Sequence, residues 1–297
     1  MIPKILHYCF GLSSSFGEKK WSLVHHVCLK SAVERIKPAD VRFYCEHEPE
    51  GPWWDLSRKL VSIEKITAPQ EIFGNPLTHV AHQADVVRLE KLLTMGGIYL
   101  DIDVLVHKDF ADLLDYHAVM GEQHVGGTVR GLCNAVILAE AQAPFLSRWL
   151  AAYRSFRSRG RDEYWDEHSV RVPYTLSRQF PDEITRLPSS AFFWPTFTQE
   201  DLALIFVSGT RIDMTNAYAT HLWESLAWEP YLEDLTPGQV RAVDTNFHYW
   251  ARPMLETLPD NYGRSATTVR LTRRLRKLAR RTRALLTRAI QPQRASA

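Results

Sequence analysis

Apolar positions in the first hundred residues switch between two periods. Lys4-Ile5-Leu6-His7-Tyr8-Cys9-Phe10 is a short apolar and aromatic run closed by Gly11 and a serine cluster, which predicts a buried strand and a loop. Over 21–36 the apolar residues stand at 21, 24, 28, 32, 33 and 36, a helical spacing, and Pro38 ends it. Val41-Arg42-Phe43-Tyr44-Cys45 predicts a second strand. Strand, helix and strand in such a short span imply a parallel sheet with helical crossovers. Residues 49–76 read as loop, with a poorly defined strand near 61–66. Val80 to Met95 carries the strongest helical pattern and stops at Gly96-Gly97. Ile98-Tyr99-Leu100 resumes as a strand, interrupted by Asp101-Ile102-Asp103. Further strands are predicted at 118–121 and 135–139 and a helix at 144–156; beyond residue 160 the pattern weakens.

The last segment changes character. Val269, Leu275, Leu278, Leu285, Leu286 and Ile290 fall on one helical face and arginines cover most of the rest, so 267–290 reads as a basic amphipathic helix. The chain is thereby divided into a main body, 1–263, and a tail, 264–297. Charge supports the division. The net charge of +2 conceals 11 Lys and Arg between Arg264 and Arg294; of the 36 in the chain, 25 remain in 1–263 against 34 acids, a net of −9.

With 45% apolar and 24% charged residues among 297, the composition is that of a globular protein with a substantial core. It excludes a disordered chain and a disulfide-stapled miniprotein. No apolar run approaches the ~20 residues of a transmembrane helix, and no secretory signal is read at the start. Cys9, Cys28, Cys45 and Cys133 form no Cys-x-x-Cys pair, so reduced thiols and a cytoplasmic setting are expected.

The candidate chemistry lies between residues 84 and 103. Asp85 and Arg88 are three apart and share a helix face. The chain then reverses at Gly96-Gly97 and delivers Asp101 and Asp103 at a strand end, where open α/β sheets bind ligands. Asp-x-Asp alone is a frequent pattern in solvated turns. Two acids within the apolar run 98–106 are costly unless paired or metal-bound, which favours a functional reading. Such a pair can share a hard divalent cation, which also takes phosphate oxygens. With an Asp/Arg pair for a polyol, the combination suits a nucleotide-sugar.

Ala84-Asp85-Val86-Val87-Arg88, followed by Gly96-Gly97-Ile98-Tyr99-Leu100-Asp101-Ile102-Asp103, closely resembles the sugar-binding region of family 32 glycosyltransferases and the core of the clostridial glucosylating toxins. Ile2-Pro3-Lys4-Ile5-Leu6-His7-Tyr8 resembles the first strand of the same family. The resemblance implies a GT-A fold, that is, a Rossmann-like mixed sheet flanked by helices, with Mn2+ (or Mg2+) and retention of anomeric configuration. By position it implies that Asp85 and Arg88 hold sugar hydroxyls and that Tyr99 lies against the nucleoside. Asp101 would then contact ribose and a metal-bound water, and Asp103 the metal. Relatives usually carry a Trp after the first strand; here Cys9-Phe10-Gly11 stands there, leaving Phe10 or Tyr8 for the base.

Asn134 is read either as a group near the reacting sugar or as a strand-capping residue. Thr220-His221-Leu222-Trp223-Glu224 resembles the family's C-terminal His-x-Trp segment. His221 is a candidate metal ligand, against the alternative of a core histidine, with Glu224 as a substitute ligand. His79 and His82 are read as loop or cap residues. Phe192-Phe193-Trp194-Pro195 is read as acceptor-cleft wall or core.

The expected function is a retaining, metal-dependent transfer of a hexose from a UDP- or GDP-sugar to a glycan or lipid-linked acceptor in polysaccharide biosynthesis. The enzyme would sit peripherally on the inner face of the plasma membrane through 267–290. A nucleotide-sugar hydrolase and a non-catalytic scaffold with a nucleic-acid-binding tail are the alternatives.

Overall fold

The computed structural model describes residues 1–16 and 19–263. The basic helix expected at 267–290, and the tail unit with it, lie outside the described residues.

The elements run β1 (Ile5–Cys9), α1 (Leu23–Ile36), β2 (Asp40–Cys45), α2 (Pro52–Ser57), β3 (Ser62–Lys65), a small hairpin β4 (Glu71–Ile72) and β5 (Asn75–Pro76), and α3 (Val80–Met95). Then come β6 (Gly97–Leu100), β7 (Val104–Val106), β8 (Ala118–Val125), β9 (Thr128–Ala139), α4 (Pro144–Ala152), α5 (Val172–Gln179) and β10 (Thr185–Leu187). The chain closes with α6 (Gln199–Phe206), β11 (Ala219–His221) and α7 (Glu224–Ala227), followed by α8 (Pro237–Ala242) and α9 (Asn246–Ala251).

A mixed sheet of seven strands, in the order β10-β8-β9-β6-β1-β2-β3, organises the described residues. Strands β6, β1, β2 and β3 are mutually parallel, while β9 runs antiparallel to both β6 and β8. This is the Rossmann-like half joined to a mixed half that the sequence predicts. Side-chain alternation splits the core into two layers. Leu6, Tyr8, Ile98 and Leu100 face one side with Val24, Val27 and Cys28 of α1. Tyr44, Tyr99 and Ile137 face the other with Val86, Leu89 and Leu92 of α3. None of the described helices is long and apolar enough to cross a membrane.

Several boundaries differ from the sequence reading. The stretch 49–76 contains α2, which begins on Pro52 at its first turn and buries Trp53 and Trp54. The helix predicted to reach 156 ends at Ala152 and tightens into a 3-10 turn. All four cysteines are free and buried.

The turn that delivers the acidic pair depends on its glycines. Gly96 and Gly97 have φ of +66° and +124°. A Cβ on Gly96 would lie 2.7 Å from the Ala141 amide nitrogen, and one on Gly97 would lie 2.5 Å from His7 Nε2. His7 itself is fully buried. Its Nε2 donates to the Gly96 carbonyl at 2.9 Å and its Nδ1 accepts from the Tyr44 hydroxyl at 2.9 Å. Both bonds use the neutral ring, and burial pushes the imidazole down to about 4.

Candidate active site

Four segments meet at the carboxyl ends of β1 and β6. Helix α3 starts with His79 as N-cap, whose ring accepts from the Ala81 amide at 3.1 Å. Its next turns bury Asp85 and Arg88, each 5% exposed. Arg88 Nη1 lies 3.1 Å from Asp101 Oδ1 and donates to the Asn134 carbonyl at 2.7 Å. Its Nη2 lies 3.2 Å from Asp85 Oδ1, and the guanidinium sits 4.4 Å from the centre of the Tyr99 ring. One planar fork therefore serves two carboxylates and a carbonyl, a task suited to Arg. Burial would lower the Arg88 pKa, but Asp101, Tyr99 and Asp85 together raise it above the ordinary value.

Strand β9 contributes through an irregularity. Its register with β8 jumps between Met120 and Gly121, whose partners are Ile137 and Cys133. The intervening residues bulge toward β6, where the Ala135 carbonyl accepts from the Asp101 amide at 2.9 Å. Asn134 lies in this bulge and its Nδ2 donates to Asp85 Oδ1 at 2.6 Å. It neither opens nor caps a strand; it holds Asp85 from within one.

Asp103 belongs to a second cluster. His221, at the end of β11, places Nε2 at 3.2 Å from Asp103 Oδ2. The Glu224 amide donates to the same oxygen at 2.8 Å, and the Leu222 amide bonds the Asp103 carbonyl at 3.0 Å. Burial would raise the Asp103 pKa; His221 and the Glu224 amide outweigh it and bring the carboxyl down to about 2. Burial would likewise depress His221, but the Asp103 carboxylate raises it well above the ordinary histidine value. Asp101 is pushed up by burial against the opposing charge of Arg88, with Asp103 adding to the rise.

Ligand atoms of Asp101, Asp103 and His221 all lie within 4.8 Å of one another. Two carboxylates and an imidazole suit a hard or borderline divalent cation. Asp101 and Asp103 supply oxygen donors and His221 a nitrogen donor converging on one point, so the residues fit such an ion.

Residues 17–120 match the family model described as the glycosyltransferase sugar-binding region containing the DXD motif. The chain is also 36% identical over 266 residues to Glucan organizing enzyme 1 of Cryptococcus neoformans var. grubii, covering 86% of this chain and 71% of that protein. The chain belongs to the DXD-motif glycosyltransferase family. Likeness to solved structures is lower. The WbbM bifunctional glycosyltransferase gives a TM-score of 0.48 at 10% identity, over 87% of this chain and 50% of that one. The PaToxG glycosyltransferase gives 0.41 at 17% identity, over 60% and 69%. As a glycosyltransferase the protein is an enzyme, which sets the scaffold reading aside.

In this glycosyltransferase the structure unites Asp85, Arg88, Asn134 and Asp101 in one cluster and Asp101, Asp103 and His221 in the next. The aromatic candidates divide. Tyr8 is 1% exposed in the core under α1 and has no ring face free for a base, while Phe10 is half-buried and stacks on Phe16 at 5.6 Å. Tyr99 is also 1% exposed; its hydroxyl donates to Asp101 Oδ1 at 2.9 Å, so it supports the acid from beneath. Phe192 and Phe193 are core, whereas Trp194 is exposed.

The Glu224 carboxylate is already engaged. It takes His25 Nε2 at 2.7 Å and Lys19 Nζ at 3.1 Å, so what it offers Asp103 is its amide. Sequence reasoning missed His25, which is fully buried at the third position of α1 and whose Nδ1 accepts from the Ser22 amide at 3.0 Å. The only advance signal was Ser22 followed by a polar residue three positions on, a capping-box spacing.

Proposed function

We propose that this glycosyltransferase takes a nucleoside-diphosphate hexose as donor, requires Mn2+ or Mg2+, and transfers the hexose with retention to a glycan or glycolipid hydroxyl in polysaccharide synthesis. The observation that carries the reading is that Asp101 is shared by both clusters, with Arg88 and Asp85 on one side and Asp103 and His221 on the other. A sugar-binding set and a cation-binding set that meet at one residue match a donor whose sugar and diphosphate are adjacent.

Asp101, Asp103 and His221 would hold the cation, which supplies charge stabilisation for the leaving diphosphate. Asp85, fixed by Arg88 and Asn134, accepts from sugar hydroxyls. Phe10 is the aromatic candidate for the base. Retention is carried over from the family resemblance, and the state of the acids bears on its route. Asp85 is tied to Arg88 and Asn134, Asp103 to His221 and the Glu224 amide, and Glu224 to His25 and Lys19. None of these stands free as a nucleophile, which favours same-face attack with the leaving phosphate as base. The basic segment 267–290 would bind an anionic membrane at its cytoplasmic face, near lipid-linked acceptors.

The test is nucleotide release from a panel of UDP- and GDP-hexoses, with manganese or excess chelator, with and without glycan and membrane-lipid acceptors. The expected result is metal-dependent release, stimulated by an acceptor, with an α-linked product from an α-linked donor. Full activity in chelator removes the metal reading. Release that no acceptor alters points to a hydrolase. Deletion of 264–297 should preserve metal-dependent release while abolishing sedimentation with anionic vesicles; unchanged vesicle binding removes the membrane reading.

A further inference from the structure

His82 stands directly behind Asp85, and the donor reading leaves it unused. It lies one turn earlier on α3, is 2% exposed, and reaches two groups of different kinds. Its Nε2 is 3.0 Å from Ser158 Oγ, and its Nδ1 is 3.5 Å from Asp85 Oδ2. Phe156 and Trp165 flank the ring, with centres at 5.0 and 4.8 Å.

The orientation of the ring follows from counting protons. Ser158 Oγ has a single hydrogen. It faces Asp162 Oδ1 at 2.8 Å and the Gly160 carbonyl at 2.9 Å, and both of these only accept. The Ser158 proton is committed to them, so His82 Nε2 donates and Ser158 accepts. Asp162 keeps its acceptor form because the Arg159 amide, together with Ser158 and the Tyr164 amide, holds its carboxyl below the usual range. The ring is thus fixed from the loop side. Asp85 Oδ2 only accepts, so Nδ1 donates to it only from the ring that carries both protons, and the 3.5 Å contact is then an ion pair.

Asp85 divides its two oxygens. Oδ1 receives Asn134 Nδ2 at 2.6 Å and faces Arg88 Nη2 at 3.2 Å. Oδ2 faces His82 Nδ1 and is the oxygen left to accept from a ligand. We propose that His82, locked by Ser158, is a positioning residue that sets the direction of Asp85 Oδ2 and thereby which hexose hydroxyl the enzyme reads. The loop 157–166 then takes part in sugar selection through Ser158 without touching the sugar. This inference rests on the assignment of Asp85 to the donor sugar.

The two ring nitrogens can be separated by substitution. In His82→Asn the amide lies where Nδ1 was, so the side chain still meets Asp85 but no longer reaches Ser158. In His82→Gln the amide reaches the Nε2 position, with the opposite effect. For the nucleoside-diphosphate hexose turned over fastest in a panel of UDP- and GDP-hexoses, the donor KM would be compared with the Ki of free UDP or GDP, and Tm recorded. His82→Gln should raise the KM/Ki ratio ~10-fold, the scale of one hydrogen bond, and flatten the preference among hexoses. His82→Asn, which keeps the contact with Asp85 but loses the Ser158 lock, should raise the ratio less, by ~3-fold. Ser158→Ala, which frees the ring, should raise the ratio as well and decides the matter where the His82 variants do not fold. A parental ratio in His82→Gln, or equal changes of ratio and Tm in both His82 variants, overturns the inference. Asp85→Asn separates the levels. If it raises the ratio and His82→Gln does not, only this inference fails. If Asp85→Asn leaves the ratio unchanged, the donor-sugar assignment itself is wrong.

Discussion

Replacing Arg88 by Lys tests the shared-residue geometry most directly. The charge is kept and the fork is removed. The guanidinium bonds Asp101 through Nη1, Asp85 through Nη2 and the Asn134 carbonyl through Nη1 again, at 3.1, 3.2 and 2.7 Å. An ammonium at the end of a shorter reach keeps one carboxylate and leaves the other facing a buried site. Hydrogen bonds that involve charged groups contribute about 1.5–3 kcal/mol each. Losing two and retaining part of the Coulombic attraction gives a net cost of about 3 kcal/mol. For a domain of this size that lowers Tm by roughly 6–12 °C. Arg88→Met removes the charge as well and strands both acids, so its cost should rise to about 3–5 kcal/mol. The assays are thermal unfolding and manganese-dependent donor hydrolysis. Hydrolysis by Arg88→Lys should fall about 100-fold, the scale for losing one placed electrostatic group, while binding of free UDP or GDP is spared. If Arg88→Lys melts and turns over like the parent, or if Arg88→Met is the more stable of the two, the guanidinium is not the joint between the clusters.

Asp103→Ala should lower turnover by about 10²–10³-fold with the fold retained, whereas His221→Ala should raise the manganese concentration for half-maximal activity; a metal titration of both variants distinguishes them, and an unchanged midpoint in His221→Ala removes it from the ligand set. Gly97→Ala places a Cβ 2.5 Å from His7 Nε2 at a φ of +124°, so circular dichroism melts should show destabilisation and tryptic digestion faster cleavage; a wild-type melt would show that the turn yields freely. Acid should destabilise the protein through His7 and His26. Both are buried neutral, with pKa values lowered from 6.5 to about 4. The unfolded chain therefore binds more protons in that window, and stability falls as pH drops from 6.5 toward 4, by roughly 3 kcal/mol for each ring. Urea unfolding across this range checks it, and His7→Gln should flatten the pH dependence.

The sequence by itself determined the local geometry of half the site. Asp85 and Arg88 share a face because they are three apart on a helix whose limits, Val80 to Met95, are written in its apolar period and its Gly96-Gly97 stop. Asp101 and Asp103 stand together because one residue separates them at the end of β6. The parallel half of the sheet follows likewise from strand–helix–strand periodicity. These features arise from short-range backbone rules, so a single chain displays them. The short elements after residue 160 did not show, because helices of four to eight residues carry too little periodicity to separate from loop.

Only the tertiary structure decided which distant groups complete the site. The Glu224 amide reaches Asp103 across 121 positions, His25 reaches Glu224 across 199, and Ser158 reaches His82 across 76. The first uses a backbone atom that any residue type could supply, so no side-chain pattern could announce it. Asn134 faces Asp85 because β9 bulges against β8, a register irregularity set by pairing between strands. The alternation of β1 together with the packing of α1 buries the Tyr8 ring and leaves that of Phe10 half-buried, a difference the residue types do not announce. Spacing fixes which groups within a turn share a face; burial and pairing between segments far apart in the chain decide what they face.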